Sequence, residues 1–348
     1  VTSDPVLLYD AVRQFRVPNY CGARIPLDHG LNISAWRRYE RLFHDDRLVD
    51  FLEFGFPTGY EAPWVPVPAG KNHKSATDHP QHVVAYLTTE VAQKAMSGPY
   101  QQPPFTPWCM TSPLMTREKR NSDKRRVIVD LSYSALPDCS VNDGISTSVY
   151  QGRPLALSLP SASDLRDMIV KGGQGCYMWS RDVARAYRQL RSDPLCYPLL
   201  GIQWDGEWYI DMAIPFGLRH GAFAMQSTSS AVRAIALSRG HDCLNYIDDF
   251  AGVHRTQQGA EQGYNTMAAI LQELGLVEAS DKATGPSQQM VWLGVHFCTN
   301  SMVMSIPDDK LTRCMDMVDT WLNKRTCSVT ELKQILGTLF HVSCCCQT

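Results

Sequence analysis

Two adjacent carboxylates, Asp248 and Asp249, stand inside the apolar run Leu244, Tyr246, Ile247 and Phe250. The ordinary reading of such a pair is a surface turn with two solvated acids. The apolar flanks instead place the pair on a buried ribbon, where two carboxylates are costly unless a cation neutralises them. Hard divalent cations take oxygen ligands of this kind. A third acid, Asp182, lies 66 residues upstream, after the apolar residues Tyr177, Met178 and Trp179. Read alone, it could simply cap the next helix. If the two segments are antiparallel neighbours, the three carboxylates can hold two Mg²⁺ ions about 3.5–4 Å apart. That arrangement suits in-line phosphoryl transfer, in which one metal activates the attacking oxygen and both stabilise developing charge.

The elements that must position these acids are legible in outline. Tyr177–Leu190 reads as a strand running into a turn, and residues 244–254 as two strands joined by a tight turn. Pro198–Trp204 and Trp208–Ile214 flank Asp205-Gly206, a strong hairpin signal. Helices are expected over Ser34–Phe54, His82–Met96, Ser163–Val170, Gly221–Arg239, Gln258–Leu274, Asp308–Leu322 and Ser328–Val342. Ser161 with Asp164, and Ser328 with Glu331, are capping signatures. MVWLGVHF and MVMSI read as two short strands. Leu114-Met115 and Val127–Leu131 read as strands on either side of a basic loop. From Arg117 to Arg126 there are six Lys or Arg against two acids. Residues 55–80, rich in Pro and Gly, form a candidate boundary.

The 348 residues are 44% apolar and 20% charged, an ordinary globular composition that excludes whole-chain disorder. There is no apolar run of spanning length and no secretory leader, so an intracellular protein, cytoplasmic or nuclear and with no membrane partner, is expected. Twelve irregularly spaced cysteines read as reduced thiols. The formal net charge of −2 counts mildly against a nucleic-acid binder, unless positive charge is concentrated locally, as it is between Arg117 and Arg126.

Five segments, in order, resemble the reverse transcriptase family of retroviruses and of long-terminal-repeat or tyrosine-recombinase (DIRS-type) retrotransposons. Arg125/Arg126 to Leu131 (R-x-V-I-V-D-L) looks like the fingers motif, and Asp182 to Tyr187 (D-V-x-x-A-Y) like the first catalytic motif. Pro215 to Leu218 (PFGL), with Phe223 and Gln226, looks like the template-side motif. Tyr246 to Asp249 looks like the second catalytic motif, and Trp292 to Val295 (WLGV) like the primer grip. The resemblance covers residues 105–342, and NYCGARIPLDHGLNISAW resembles the region ahead of the polymerase in DIRS-type elements. The chain departs from the family in lacking a Pro after PFGL, and in placing Asn142 downstream of the fingers motif; these departures touch the template contacts, not the acids.

The resemblance implies an α+β right-hand polymerase fold, with an antiparallel palm sheet, packed helices, fingers and a short helical thumb. Its parts would be an N-terminal extension and linker (1–80), fingers with the start of the palm (81–176), palm (177–304) and thumb (305–348). It implies RNA- or DNA-directed DNA synthesis, adding dNTPs to a primer 3′ end. Asp182, Asp248, Asp249 and the carbonyl of Val183 would hold two Mg²⁺, with Mn²⁺ able to substitute. Lys119, Arg125, Arg126, Tyr187, Phe216, Gly217 and Lys282 would contact the dNTP, with Tyr187 as the gate that selects deoxyribose. Gln226, Tyr246, Trp292, Leu293 and Gly294 would contact primer or template. On chemistry alone, the basic loop could be a solvated charge run, Tyr187 a core aromatic and Lys282 a surface residue. Three alternatives remain at this level: an idle, domesticated nucleic-acid-binding module, an RNA polymerase with the same palm, and a non-nucleotide interaction protein. No acidic cluster for hybrid-RNA cleavage is apparent after residue 304, so polymerase activity without such cleavage is expected, with the natural protein continuing past Thr348.

Overall fold

The computed structural model describes residues 4–14, 25–63, 70–106, 109–118, 125–343 and 345. Helix and antiparallel sheet are mixed throughout, and the chain divides into two compact units. The first comprises Val1–Leu157, Ala184–Ala231 and Glu273–Val277; the second comprises Ser158–Val183, Val232–Gln272 and Glu278–Thr348.

In the first unit, Glu207–Asp211 is the central strand of a three-stranded antiparallel sheet, between Met96–Tyr100 and Gly201–Trp204. The hairpin turn Asp205-Gly206 has φ of +50° and +80°, the paired left-handed residues that suit strand twist and favour an Asp-Gly sequence. Leu114–Glu118 and Arg125–Val129 form a separate antiparallel ribbon, Arg117 opposite Arg126 and Glu118 opposite Arg125. The expected helix His82–Met96 runs from Pro80 to Ala92, and Met96 instead starts a strand. Ser34–Phe54 is not one helix but Ile33–Tyr39, a short 3₁₀ turn and Leu48–Phe54, interrupted at Phe43–Arg47. Within that break Asp45 accepts from the Arg47 backbone N–H at 3.0 Å, a side-chain turn that competes with continued helix.

The second unit carries a four-stranded sheet ordered Thr284–Ser287, Tyr177–Asp182, Asp249–His254, Leu244–Tyr246. Helix Ala162–Gly172 buries Ala162, Leu165 and Ile169 on one stripe, the spacing of a single helical face. Ser161 and Asp164 close a reciprocal capping box at its start. The stripe packs with Met178, Leu244, Ala251, Met290, Trp292, Val295, Phe297 and Ile306 in one core. MVWLGVHF is two strands rather than one. Gln289–Trp292 and Val295–Cys298 pair across a Leu293-Gly294 turn, and Val303–Ser305 adds a third strand. Two helices, Asp308–Leu322 and Val329–Ser343, complete the unit. Among the described residues no helix is long and apolar enough to cross a membrane.

Candidate active site

Strands Tyr177–Asp182 and Asp249–His254 pair antiparallel and residue for residue, with Asp182 directly opposite Asp249. Three pairs along, Gly252 faces Trp179. Trp179 is fully buried, and a Cβ on Gly252 would fall inside its indole. Glycine at that position therefore fixes the register that aligns the acids. Behind Asp182, the Arg181 guanidinium stacks 3.5 Å from the Tyr264 ring centroid, ion-pairs with Glu278 and donates to the Tyr264 carbonyl. The strand end is thus held from its rear face.

The Leu244–Tyr246 strand returns through Ile247 and Asp248, with Tyr246 paired to Asp249. Ile247 has φ +54°, a left-handed conformation that costs a β-branched residue of order 1–3 kcal/mol. The Asp248 carbonyl accepts from the Val183 N–H at 3.0 Å, tying the turn to the residue after Asp182. Of the eight described non-glycine residues with positive φ, three lie in the segments that resemble polymerase motifs: Arg185, Ile247 and Leu293. Strain of this kind collects where side chains must be aimed rather than packed.

The resulting cluster is short of positive charge. Lys282 spans both oxygens of Asp182, at 3.1 and 3.0 Å. Burial, followed by the neighbouring Asp182 charge, holds the Asp248 carboxyl above its ordinary range. Asp249 is pushed up to about 7 by burial, by its hydrogen bond with Asp182 and by the Asp248 charge. For Lys282, burial opposes the charge, yet its bond to Asp182 and the nearby acids keep its pKa above the usual lysine value. Among the described residues no three acid, His or Cys side chains are gathered into a ready-made ion cage. The donor set nevertheless fits a hard divalent cation in type and charge: three carboxylates, at the ends of the two inner strands and in the adjoining turn, share a single ammonium, that of Lys282. Asp182, Asp248, Asp249 and the Val183 carbonyl are the groups that could hold it.

Other sequence-predicted residues fall in the first unit. The Tyr187 and Phe216 rings meet edge to face at 5.1 Å, and the Tyr187 ring lies 3.4 Å from where a Cβ on Gly221 would stand. Gly217 has φ +100°, with the Val129 carbonyl 3.3 Å from its virtual Cβ. Asn142, displaced in sequence from the fingers-like motif, reaches the same turn: its amide donates to the Gly217 carbonyl at 2.8 Å and accepts from Arg219 N–H at 2.9 Å. Arg125 is bonded to Thr116 and Glu118, whereas Arg126 is exposed. Lys119 lies outside the described residues. Gln226 is buried on helix Gly221–Ser238.

In the second unit, Tyr246 and Leu293 pack against the core that buries Trp292, and Gly294 follows with φ +79°.

Sequence reasoning missed a buried ionic knot centred on Arg188, the residue after Tyr187. Arg188 donates to Glu90 at 2.9 Å, lies 2.8 Å from Asp211 and reaches the carbonyls of Ala95, Ala213 and Ile214. Arg185 joins it through Glu90 at 2.7 Å. Burial raises the Asp211 carboxyl to about 6 despite Arg188. The signal in the sequence was Asp211 itself, the one acid inside the apolar run Trp208–Ile214.

No family model matches the chain, and no curated protein does. Solved structures do. A foamy viral protease-reverse transcriptase dRH in complex with double-stranded DNA matches with TM-score 0.58 at 14% identity over 88% of this chain and 48% of its own. A foamy viral protease-reverse transcriptase in complex with an RNA/DNA hybrid matches with TM-score 0.57 at 13% identity, over 88% and 36%. A third, with double-stranded DNA, matches with TM-score 0.55 at 15% identity, over 88% and 57%. The chain spans less than two thirds of each of these. At such identities the likeness is one of architecture: the chain has a retroviral reverse transcriptase-like fold.

Proposed function

We propose that this chain is the polymerase part of a retroelement reverse transcriptase, extending a primer 3′ end with dNTPs on an RNA or DNA template. The observation that carries the reading is the in-register apposition of Asp182 and Asp249, with Asp248 at the adjoining turn. On this reading the four-stranded sheet is the palm, the Leu114–Val129 ribbon belongs to the fingers and the two last helices form the thumb.

Two Mg²⁺ ions held by Asp182, Asp248, Asp249 and the Val183 carbonyl would activate the primer 3′-oxygen and stabilise charge on the transferred phosphoryl. The chain's own residues supply position and complementary charge. The Gly252–Trp179 lock keeps the carboxylates apposed. Lys282, bonded to Asp182, would be released to pair with triphosphate oxygens if Asp182 turned to a cation. Arg126, on the ribbon, offers bidentate geometry to phosphate. The Tyr187 ring, held against Phe216, would close the space under the sugar and reject a 2′-hydroxyl.

Extension of a DNA primer on RNA and on DNA templates, wild type beside Asp248→Asn, tests the reading. Wild type extends, and Asp248→Asn loses activity by a factor of about 10² or more while keeping its circular dichroism. Template binding without extension by the wild type would instead identify an idle binding module.

A further inference from the structure

Helix Pro80–Ala92 buries one stripe, formed by Val83, Leu87 and Glu90. A glutamate on an otherwise apolar stripe is costly unless its charge is matched. It is matched twice. One Glu90 carboxylate oxygen accepts from Arg185 Nη2 at 2.7 Å, and the other accepts from Arg188 Nε at 2.9 Å. The two arginines flank Ala186 and Tyr187, so a single carboxylate spans the segment that carries the Tyr187 ring.

That segment depends on outside support. Ala186–Gln189 is a single helical turn, entered through Arg185 at φ +51°. One turn does not sustain itself in water, because its nucleation is unfavourable, and a left-handed arginine adds to the cost. Arg188 also reaches the carbonyls of Ala213 and Ile214, which lead through Pro215 to Phe216. Phe216 is the ring that meets Tyr187 edge to face. The same ionic group therefore holds the turn bearing Tyr187 and the approach to its aromatic neighbour. Apolar residues of similar volume would stabilise the fold as well or better; a carboxylate shared between two guanidinium groups adds direction.

We propose that Glu90, acting through Arg185 and Arg188, is a positioning residue for Tyr187, fixing the ring where it discriminates the sugar of an incoming nucleotide. The proposal rests on the polymerase reading, and adds to it a residue from outside every motif-like segment of the sequence.

The test has two arms. In primer extension, Arg185→Gln unties one end of the clamp at a partly exposed side chain. It should raise the rNTP-to-dNTP ratio of kcat/KM about fivefold, and Arg185→Lys should restore the ratio. Glu90→Gln should raise it at least as much; where that protein does not fold, Arg185→Gln decides alone. On a Tyr187→Ala background Arg185→Gln should add nothing, since both changes act through one ring. The second arm is hydrogen exchange read by mass spectrometry, without template or nucleotide. Residues 184–190, where the Arg188 and Leu190 N–H groups donate to the Arg185 and Tyr187 carbonyls, should exchange faster in Arg185→Gln, and strand Tyr177–Asp182 should not. An equal loss of kcat/KM for both nucleotides makes the clamp merely structural and overturns the proposal while leaving the polymerase reading intact. Unchanged exchange at 184–190 overturns it equally. No extension by the wild type overturns the polymerase reading and the sugar role together.

Discussion

Arg188→Met replaces the centre of the buried ionic knot with an apolar side chain of similar length. The side chains of Arg188, Glu90 and Asp211 are only 3%, 6% and 2% exposed, so water cannot screen what is left behind. Removing one member of a buried ion pair costs about 3–5 kcal/mol, because the partner charge stays buried and uncompensated. Here two carboxylates are left, with Arg185 still bonded to Glu90, which places the cost within that range rather than at twice it. The cost must depend on pH. Asp211 already sits at about 6 in the intact protein, and Arg188 is among the groups that lower it. Without Arg188 its folded pKa moves further above the unfolded value. A raised folded pKa contributes stability below the unfolded pKa and loses it as pH climbs through the folded one. The deficit of Arg188→Met should therefore be smallest near pH 5 and largest near pH 8. Thermal denaturation followed by circular dichroism should show a midpoint lower by on the order of 10 °C at pH 8, with Arg188→Lys intermediate. An unchanged midpoint, or a deficit equal at pH 5 and pH 8, would refute the reasoning.

Two further outcomes follow from the site. In metal-free buffer the wild type should lose stability as pH rises from 5 through 7, because the proton Asp249 holds up to about 7 is released there while the unfolded chain released it near 4. Asp249→Asn should flatten that slope and raise the thermal midpoint at pH 8 in EDTA; identical slopes for the two proteins would remove Asp249 from the account. Tyr187→Ala should raise the rNTP-to-dNTP ratio of kcat/KM in primer extension, since it clears the ring packed on Phe216; an unchanged ratio would make Tyr187 a core residue.

Much of the site was legible in the sequence, because acids inside apolar strands are conspicuous wherever their partner strands lie. Asp182, Asp248, Asp249 and Lys282 do come together within one unit. What escaped detection left no such local contrast in the sequence. The Arg188 knot joins residues 90, 188 and 211, and of these Glu90 and Arg188 each read alone as an unremarkable charge. Asn142 looked like a displaced motif residue, yet its side chain returns to the Gly217 turn across 75 positions. The single strand expected over MVWLGVHF failed because Leu293 adopts φ +47°, a backbone state that hydrophobic patterning does not encode. Helix His82–Met96 stops early, at Ala92, because Ala95 continues the apolar helical face while Met96 already pairs with Asp211 in a sheet.

The Gly252–Trp179 pair behaves as a key in a lock cut three teeth away from where the work is done. Slipping the two strands by one residue would bring Ala251 or Val253 against the indole and, in the same motion, take Asp249 out of line with Asp182. The alignment of the acids is therefore quantised: the strands are either in this register or unpaired, with no graded misplacement between. Substitutions between Arg185 and Leu244 can reshape loops and helices without changing the pairing of the two strands, provided that glycine and that tryptophan remain.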